Sequence, residues 1–504
     1  MVRPDMSMAS DRIECDIAIV GGGPGGYAAA LHASRLGLGV VVVEKEKVGG
    51  TCLHRGCVPA KHFLETAAVL RTVKKAQSFG IEFVAPSAPT GSEVGQPRLG
   101  GSQVPTVNWS AVVARKSSLV ERLWRGLSNL LESAGVVIVE GEGVLDDSGS
   151  VVAHARDGSV RIVTARKGVI LASGSTPRQL DALQPDGDLV VTSDEVFDIK
   201  RLPESVLVVG AGSVGVEVST YLAEFGSNVT LVEALPNVLQ GADEEVSSAL
   251  ERALAALGVE VICNARVLGL EKIPDRIRES GFGVCHVRRS GGEELNIKAN
   301  LIVVAVGRAP SATRLGLEKV GVAQEPSGHV AVDPKTLQTS VRGIYAVGDL
   351  ISTPALAHVA FAEGGVAVRA IVGEDPRPID YRKVPWCVYT HPEVAFCGMT
   401  EAAAKTAYGE DSVRVSKVNF AGNARAAILG ERRGMLKLVA LADGPVVGVH
   451  IIGPWASELL SPGYLSTNWE AFPEEVAAYI QPHPTLSEIL GEAAMALVGR
   501  PLHG

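Results

Sequence analysis

Apolar residues in this chain follow two patterns. Short unbroken runs rich in valine and isoleucine occur at Cys15 to Val20, Leu38 to Val43, Val136 to Val139, Val169 to Ala172, Val206 to Val209, Asn228 to Val232, Leu301 to Val306 and Gly343 to Val347. Runs of this kind, closed by glycine, predict strands buried on both faces, as in a parallel sheet. Between them lie stretches with helical spacing. The clearest is Trp109 to Ser133, where Val112, Val113, Leu119, Leu123, Leu127, Leu130 and Leu131 share one face. Shorter helices are predicted over Tyr27 to Leu36, over His62 to Leu70, up to Phe225, and from Ala355 to about Val372. Strands alternating with helices predict an α/β fold with parallel sheets. From about Tyr381 to Gly504 strands and helices mix without that alternation. Ala85 to Thr106, with Pro86, Pro89, Pro97 and Pro105 among Gly and Ser, has no periodicity and predicts a mobile surface loop.

Two of the strand-to-helix junctions carry the same glycine spacing. Val20 runs into Gly21-Gly22-Gly23-Pro24-Gly25-Gly26, and the next strand ends at Glu44. Val209 runs into Gly210-Ala211-Gly212-Ser213-Val214-Gly215, and the next strand ends at Glu233. The two units are 189 positions apart (Gly210 minus Gly21). Glycines at this spacing let a pyrophosphate approach the backbone at a helix N-terminus, and the terminal acid can bind ribose hydroxyls. A carboxylate at Glu233 would repel a 2′-phosphate, so the second unit favours NAD. The apolar runs that close each unit end at Ser173-Gly174-Ser175 and at Gly307. Asp349 ends a further buried strand, where a carboxylate serves equally as helix cap or ligand.

Between the first unit and the long helix stands Gly49-Gly50-Thr51-Cys52-Leu53-His54-Arg55-Gly56-Cys57-Val58-Pro59-Ala60-Lys61. Two cysteines five positions apart can close a small disulfide loop if the backbone brings their Cβ atoms together. A helix N-terminus lowers a thiol's pKa, and the thiolate is the species that exchanges with disulfides. The other readings are two small buried residues or half of a metal site. Metal sites usually pair closer cysteines with a second Cys/His pair, which is missing here, so no metal is expected. Near the other end, His483 lies between Pro482 and Pro484, five residues before Glu488. A carboxylate bonded to imidazole fixes its tautomer and raises its basicity, as a general base requires. A histidine at a helix start is, taken alone, more often structural.

Composition narrows the class. The chain has 504 residues, a size for about three domains, and a net charge of −9 with scattered basic residues, which argues against a nucleic-acid surface. No apolar run is long enough to span a membrane. Met1 to Arg12 includes Asp5 and Asp11 and lacks the apolar core of a secretory signal. Seven cysteines form no disulfide scaffold, and the odd count fits a reducing, cytoplasmic compartment. A disulfide kept there is usually catalytic.

Assembled, these residues resemble the flavin-dependent pyridine nucleotide–disulfide oxidoreductases from about Cys15 to His503, apart from the 85–106 insertion. The resemblance rests on GGTCLHRGCVPAK, GAGSVGVE, VVAVGRAP, IYAVGDL, VYTHPEVAFCGMTE, VVGVHIIGP and HPTLSE. The loop Leu53-His54-Arg55 departs from the commoner Leu-Asn-Val without removing a catalytic group. The resemblance implies two Rossmann-like dinucleotide-binding domains, for FAD and NAD, and a C-terminal α+β dimerisation domain. The expected bounds are 1–178 for the FAD domain, 179–308 for the NAD domain, 309–378 for a segment completing the FAD domain and 379–504 for the interface.

It further implies a redox disulfide Cys52–Cys57. FAD would touch Gly21, Gly23, Gly26, Glu44, Gly50, Thr51, Lys61, Gly143, Ser173, Gly174, Ser175, Asp349 and the backbone of Ala355, Leu356, Ala357 and His358. NAD would touch Gly210, Gly212, Gly215, Glu217, Glu233, Val267 and Gly307. Lys61 and Glu217 would pair beside the flavin. The chain would form a homodimer in which His483 and Glu488 of one subunit complete the cysteine site of the other. The implied reaction oxidises dihydrolipoyl groups and reduces NAD. Those groups would be carried by acyltransferase subunits of 2-oxoacid dehydrogenase complexes or by a glycine-cleavage carrier protein. Rival readings are glutathione- or mercuric-reductase-like enzymes, an NADH:quinone reductase, and a non-catalytic FAD/NAD-binding redox sensor. The first would want arginines after Glu233, where Ala234-Leu235-Pro236 stand, and the second a C-terminal cysteine pair, but no cysteine follows Cys397.

Overall fold

The computed structural model describes residues 11–82, 105–273 and 281–503. Most of the predicted 85–106 insertion and most of the amino-terminal stretch judged for a secretory signal lie outside these residues. The first layer begins with β1 (Arg12–Val20), α1 (Pro24–Arg35) and β2 (Val40–Glu44). Two helices follow, α2 (Gly50–His54) and α3 (Cys57–Lys75), and then the long α4 (Trp109–Ser133). β3 (Val137–Glu140), β4 (Glu142–Leu145), β5 (Val151–His154) and β6 (Val160–Leu171) complete most of the first sheet, in the order β3-β2-β1-β6-β5-β4. The strands β3, β2, β1 and β6 run parallel, and β6, β5 and β4 form an antiparallel flap. Burial is complete over Ile17 to Val20 of β1 and Val40 to Val43 of β2, which is why those stretches read as unbroken apolar runs.

The chain then crosses through β7 (Ser175–Pro177) into a second sheet. Its elements are β8 (Val190–Thr192), β9 (Ser205–Val209), α5 (Ser213–Phe225), β10 (Asn228–Val232), α6 (Glu244–Ala256) and β11 (Glu260–Ile262). An antiparallel sheet of β12 (Ala265–Ile273), β13 (Phe282–Arg289) and β14 (Glu294–Ala299) leads to β15 (Leu301–Val304). The parallel order is β11-β10-β9-β15-β8. β16 (Arg308–Pro310) returns antiparallel to β7, so the chain enters and leaves the second unit through one two-stranded ribbon. After α7 (Leu317–Val320), β17 (Ile344–Ala346) adds parallel to β6 in the first sheet, and α8 (Ala357–Ile371) packs against α1.

The last unit contains β18 (Trp386–Val388), β19 (Glu393–Gly398), α9 (Glu401–Tyr408), β20 (Val413–Asn419), α10 (Ala424–Leu429), β21 (Met435–Leu441) and β22 (Val446–Gly453). It ends with α11 (Ala456–Asn468), α12 (Pro473–Ala478) and α13 (Glu488–Leu497). Its sheet is antiparallel, in the order β18-β19-β22-β21-β20. The architecture is thus two Rossmann-like α/β units followed by an α+β unit. Among the described residues no helix is long and apolar enough to cross a membrane.

One core is shared by all three units. Phe63 of α3 stacks on Trp109 of α4 and on Tyr221 of α5, each with ring centroids 5.2 Å apart, and on Phe197 at 5.9 Å. Val388, Phe396 and Ile452 of the last unit join the same cluster. Helix α3 begins at Cys57 itself, five residues earlier than the run at His62 suggested. A cluster that holds α3 therefore also fixes the position of that cysteine. Phe63 is fully buried, so Phe63→Ala should cost about 3–5 kcal/mol of unfolding free energy, read as a lower midpoint in chemical denaturation. A loss under about 1 kcal/mol would show that the cluster relaxes around the gap.

Candidate functional site

The two glycine junctions have the same geometry, bond for bond. Gly21 N–H donates to Val43 O at 2.8 Å, and Gly210 N–H donates to Val232 O at 2.8 Å. Gly22 N–H donates to Glu44 Oε2 at 2.6 Å, and Ala211 N–H donates to Glu233 Oε2 at 2.6 Å. Each carboxylate also accepts a second backbone N–H two residues on, Glu46 to Glu44 and Leu235 to Glu233, both at 2.9 Å. The acids are thus locked in place before any ribose arrives. A side chain at Gly26 would collide with the Gly21 carbonyl, and one at Gly215 with the Gly210 carbonyl. The third glycine of each motif therefore serves helix-to-strand packing, and neither lines the large cavity described next.

That cavity, about 660 Å³, runs between the first and second units. Its walls hold Gly21, Gly23, Glu44, Gly50, Thr51, Gly143, Ser173, Gly174, Ser175, Asp349, Ala355, Leu356 and Ala357, together with Cys52, Cys57, Lys61 and Glu217. Of the sixteen residues that the resemblance implies for FAD, two lie off its wall. Gly26 packs as described. His358 turns its Nε2 to the Pro385 carbonyl at 2.8 Å. Gly50, in the left-handed region at φ 58°, has no room for a Cβ, which would lie 2.7 Å from Gly23 Cα. Two glycines thus meet where the cavity passes over the start of α1.

Cys52 and Cys57 are free thiols on the cavity wall, close enough that the titration of each depends on the other. Cys52 is half-buried, and Cys57 is exposed on the cavity wall. Hydrogen bonding to Cys57 raises the Cys52 pKa, with burial adding. Cys57 is lowered to about 7 by the hydrogen bond it accepts from Cys52; burial opposes this, and the Lys61 ammonium assists. Cys57 is the first residue of α3, where helix N–H groups favour an anion. Lys61, one turn on, donates to Glu217 Oε1 at 2.9 Å and Oε2 at 2.8 Å. Burial opposes the Lys61 charge, but Glu217 outweighs it and raises its pKa. Tyr389 contributes a backbone N–H to Glu217 Oε1 at 2.9 Å and a ring face 4.7 Å from Lys61 Nζ.

Asp349 is joined to its surroundings by a chain of side chains. Ser175 Oγ donates to Asp349 Oδ2 at 2.6 Å, and Arg308 Nε donates to Ser175 Oγ at 2.7 Å. Arg308 also donates to Asp194 Oδ1 at 2.6 Å. Arg308, Asp194, Tyr389 and Cys387 of this site were not singled out from the sequence. Arg308 stands next to Gly307 in an apolar-run ending, and only the crossing of β7 and β16 brings it to Asp349.

The second glycine turn touches this cavity through Ser213 and Val214. Gly210, Gly212, Gly215, Glu233 and Gly307 lie off the large cavity. Val267 sits in β12 beside a register shift and packs on the core behind the second sheet.

His483 and Glu488 also lie off the cavity, on the last unit. His483 Nδ1 is 2.8 Å from Glu488 Oε1, and Glu488 Oε2 accepts the Thr485 N–H at 2.7 Å. Burial works against the Glu488 charge, but the Thr485 N–H and His483 outweigh it and lower its pKa. The imidazole is 67% exposed. Within one chain the pair meets neither cysteine.

Comparison with known proteins follows the same division. Residues 15–364 match the family model described as pyridine nucleotide-disulphide oxidoreductase, and residues 384–494 match the dimerisation domain of that family. A dihydrolipoyl dehydrogenase of Bacillus subtilis (strain 168) is 37% identical over 97% of this chain and 99% of its own length. One from Chlorobaculum tepidum is 38% identical over 95% of this chain and 96% of its own. The crystal structure of LpdA from Mycobacterium tuberculosis superposes with a TM-score of 0.84 at 28% identity, covering 96% of this chain and 99% of that one.

The thiol geometry makes a pH prediction. In the reduced protein, alkylation of Cys57 should rise through a midpoint near pH 7, since the thiolate prevails above its pKa and is protonated below it. Lys61→Met should move that midpoint upward by about one pH unit. An unmoved midpoint would remove Lys61 from the account of the thiolate.

Proposed function

The chain belongs to the pyridine nucleotide-disulphide oxidoreductases, and within that family we propose that it oxidises protein-bound dihydrolipoyl groups to lipoyl while reducing NAD. The observation that carries this reading is the pairing of Cys52 and Cys57 at the N-terminus of α3, with Lys61 and Glu217 clamped beside them in a cavity that begins at the first glycine turn. That cavity suits FAD. Its wall carries Glu44 together with the thiols and Lys61, and it passes a close backbone approach where a Cβ on Gly50 would lie 2.7 Å from Gly23 Cα. FAD, when bound, accepts the electron pair of the dithiol and delivers a hydride to NAD. Glu44 would hold the FAD ribose and Glu233 the NAD ribose, each already oriented by two N–H donors.

The protein's own residues carry the sulfur chemistry. Glu488 holds the Nδ1 side of His483, which leaves Nε2 to take the proton from a dihydrolipoyl thiol. The substrate thiolate attacks Cys52 in the Cys52–Cys57 disulfide. A mixed disulfide forms, and Cys57 leaves as a thiolate. The second substrate thiol then displaces Cys52, closing the lipoyl ring and leaving the cysteines with the two electrons. The low pKa of Cys57 makes it the better leaving group, and Lys61 steadies its charge.

His483 lies off the cysteine cavity of its own chain, so the reading requires a homodimer in which it serves the partner's site. The dimerisation-domain match supports this. So do the exposed apolar side chains Trp469, Phe472, Tyr479 and Ile480, which lie in the residues leading up to His483. The lipoyl group would arrive on an acyltransferase subunit of a 2-oxoacid dehydrogenase complex or on a glycine-cleavage carrier protein. Two thiols used as a redox pair fit a reducing cytoplasm.

Purified protein given dihydrolipoamide should reduce NAD rapidly and NADP at least about tenfold more slowly, since repulsion at Glu233 of about 1.4 kcal/mol suffices for that ratio. Inertness toward dihydrolipoamide would overturn the proposal. His483→Gln should lower dithiol oxidation by about 10²-fold or more, whereas NADH oxidation by an artificial acceptor should persist. An equal loss of both activities would show that His483 does not act on the thiol.

A further inference from the structure

Glu363 is a carboxylate with no exposed surface, set on α8 behind the cavity wall. Three donors converge on it. Gly348 N–H reaches Oε2 at 2.6 Å, while Thr353 Oγ1 and Tyr381 Oη reach Oε1 at 2.7 and 3.0 Å. These partners come from two places. Gly348 and Thr353 bracket the turn that carries Asp349, and Tyr381 lies just ahead of the last unit.

The turn needs such an acceptor. β17 pairs with the first sheet through Ala346, and Val347 N–H makes the last bond to it, to Leu171 O at 3.0 Å. Gly348 then takes φ 68°, which only glycine adopts without strain, and its N–H points away from the sheet toward α8. An unpaired N–H there would be buried and costly. Burial pushes the Glu363 carboxyl up, and its three donors work in the other direction.

We propose that Glu363 is a positioning residue for the cofactor site: it fixes the Gly348–Thr353 turn so that Asp349 faces the cavity, and it ties that turn to Tyr381. The inference rests on the reading that FAD occupies this cavity. Asp349 lines the cavity and is itself held by Ser175. Glu363 is absent from the wall and acts only through the turn. It belongs to the same α8 whose residues Ala357 and Ala360 do line the cavity. The carboxylate therefore sets the distance between helix and turn on either side of the cofactor's path.

The test compares Glu363→Gln with Tyr381→Phe in the FAD-loaded protein. An amide at 363 can accept from Thr353 and Tyr381 through its oxygen, but then presents N–H to Gly348 N–H, so only the turn is disturbed. Glu363→Gln should release FAD about tenfold faster, read by the rise in flavin fluorescence on dilution, with NAD affinity unchanged. Tyr381→Phe leaves the Gly348 and Thr353 bonds intact and should stay within about twofold of the parent. FAD release from Glu363→Gln within twofold of the parent would overturn the proposal. So would equal acceleration in both variants, which would mark general loosening of the fold. If Glu363→Gln does not fold, Thr353→Val takes its place: about threefold faster release is expected, and an unchanged rate overturns the proposal. A parent protein that holds no FAD would instead sink the reading on which the inference rests.

Discussion

The structure depends on one ion pair. Lys61 comes from the first unit, Glu217 from the second, and the backbone N–H and ring that flank them from Tyr389 at the start of the third. Glu217 is nearly inaccessible, with 6% of its side chain exposed, and Lys61 keeps 36%, the share that opens on the cavity. Such a pair is a poor source of stability, because desolvation consumes much of the Coulomb gain, but removing one partner strands the other at a cost of about 3–5 kcal/mol. It therefore works as a register. It sets the three units at one spacing and holds a positive group on the cavity wall beside the thiols. The Cys57 thiolate and the cavity chemistry are both built around that charge.

The same helix carries the other fastenings. From Cys57 onward α3 presents Lys61 to Glu217, Phe63 to the shared aromatic cluster, Arg71 to Glu224 of α5 and Lys75 to Glu431 of the last unit. Apolar packing supplies the adhesion, and the ion pairs choose the alignment, since stacked rings alone tolerate sliding. Rigidity on this helix is useful because thiol exchange demands defined sulfur geometry. Further along the boundary, Lys437, almost wholly buried, bonds Asp243 Oδ1 at 2.9 Å and Glu401 Oε2 at 2.6 Å and so joins the second unit to the third.

The two nucleotide units show how one solution is used twice. Glycine spacing, a carboxylate preset by two backbone N–H groups, and the neighbouring strand recur 189 positions apart with matching distances. What differs is the surroundings. The first turn lines a cavity completed by the cysteine helices with both Gly21 and Gly23, while the second reaches it through Ser213 and Val214 and keeps its three glycines off the wall.

The sequence by itself determined the local elements. The unbroken valine-rich runs became parallel strands, the apolar face over Trp109–Ser133 became a helix with those bounds, and both glycine junctions became nucleotide turns, because each rests on period, propensity and sterics within a few residues. It also pointed to Cys52, Cys57, His483 and Glu488 through their spacing. The start of α3 at Cys57, ahead of the run at His62, was less legible, since Pro59 at its third position hides a helix that tertiary packing secures. Only the tertiary structure decided which groups meet. Arg308 reaches Asp349 through Ser175 because two strands far apart in the chain pair, and Glu363 reaches Gly348 because α8 lies behind the sheet. Those encounters depend on contacts between residues far apart in the chain, and no local pattern encodes a distance across the fold.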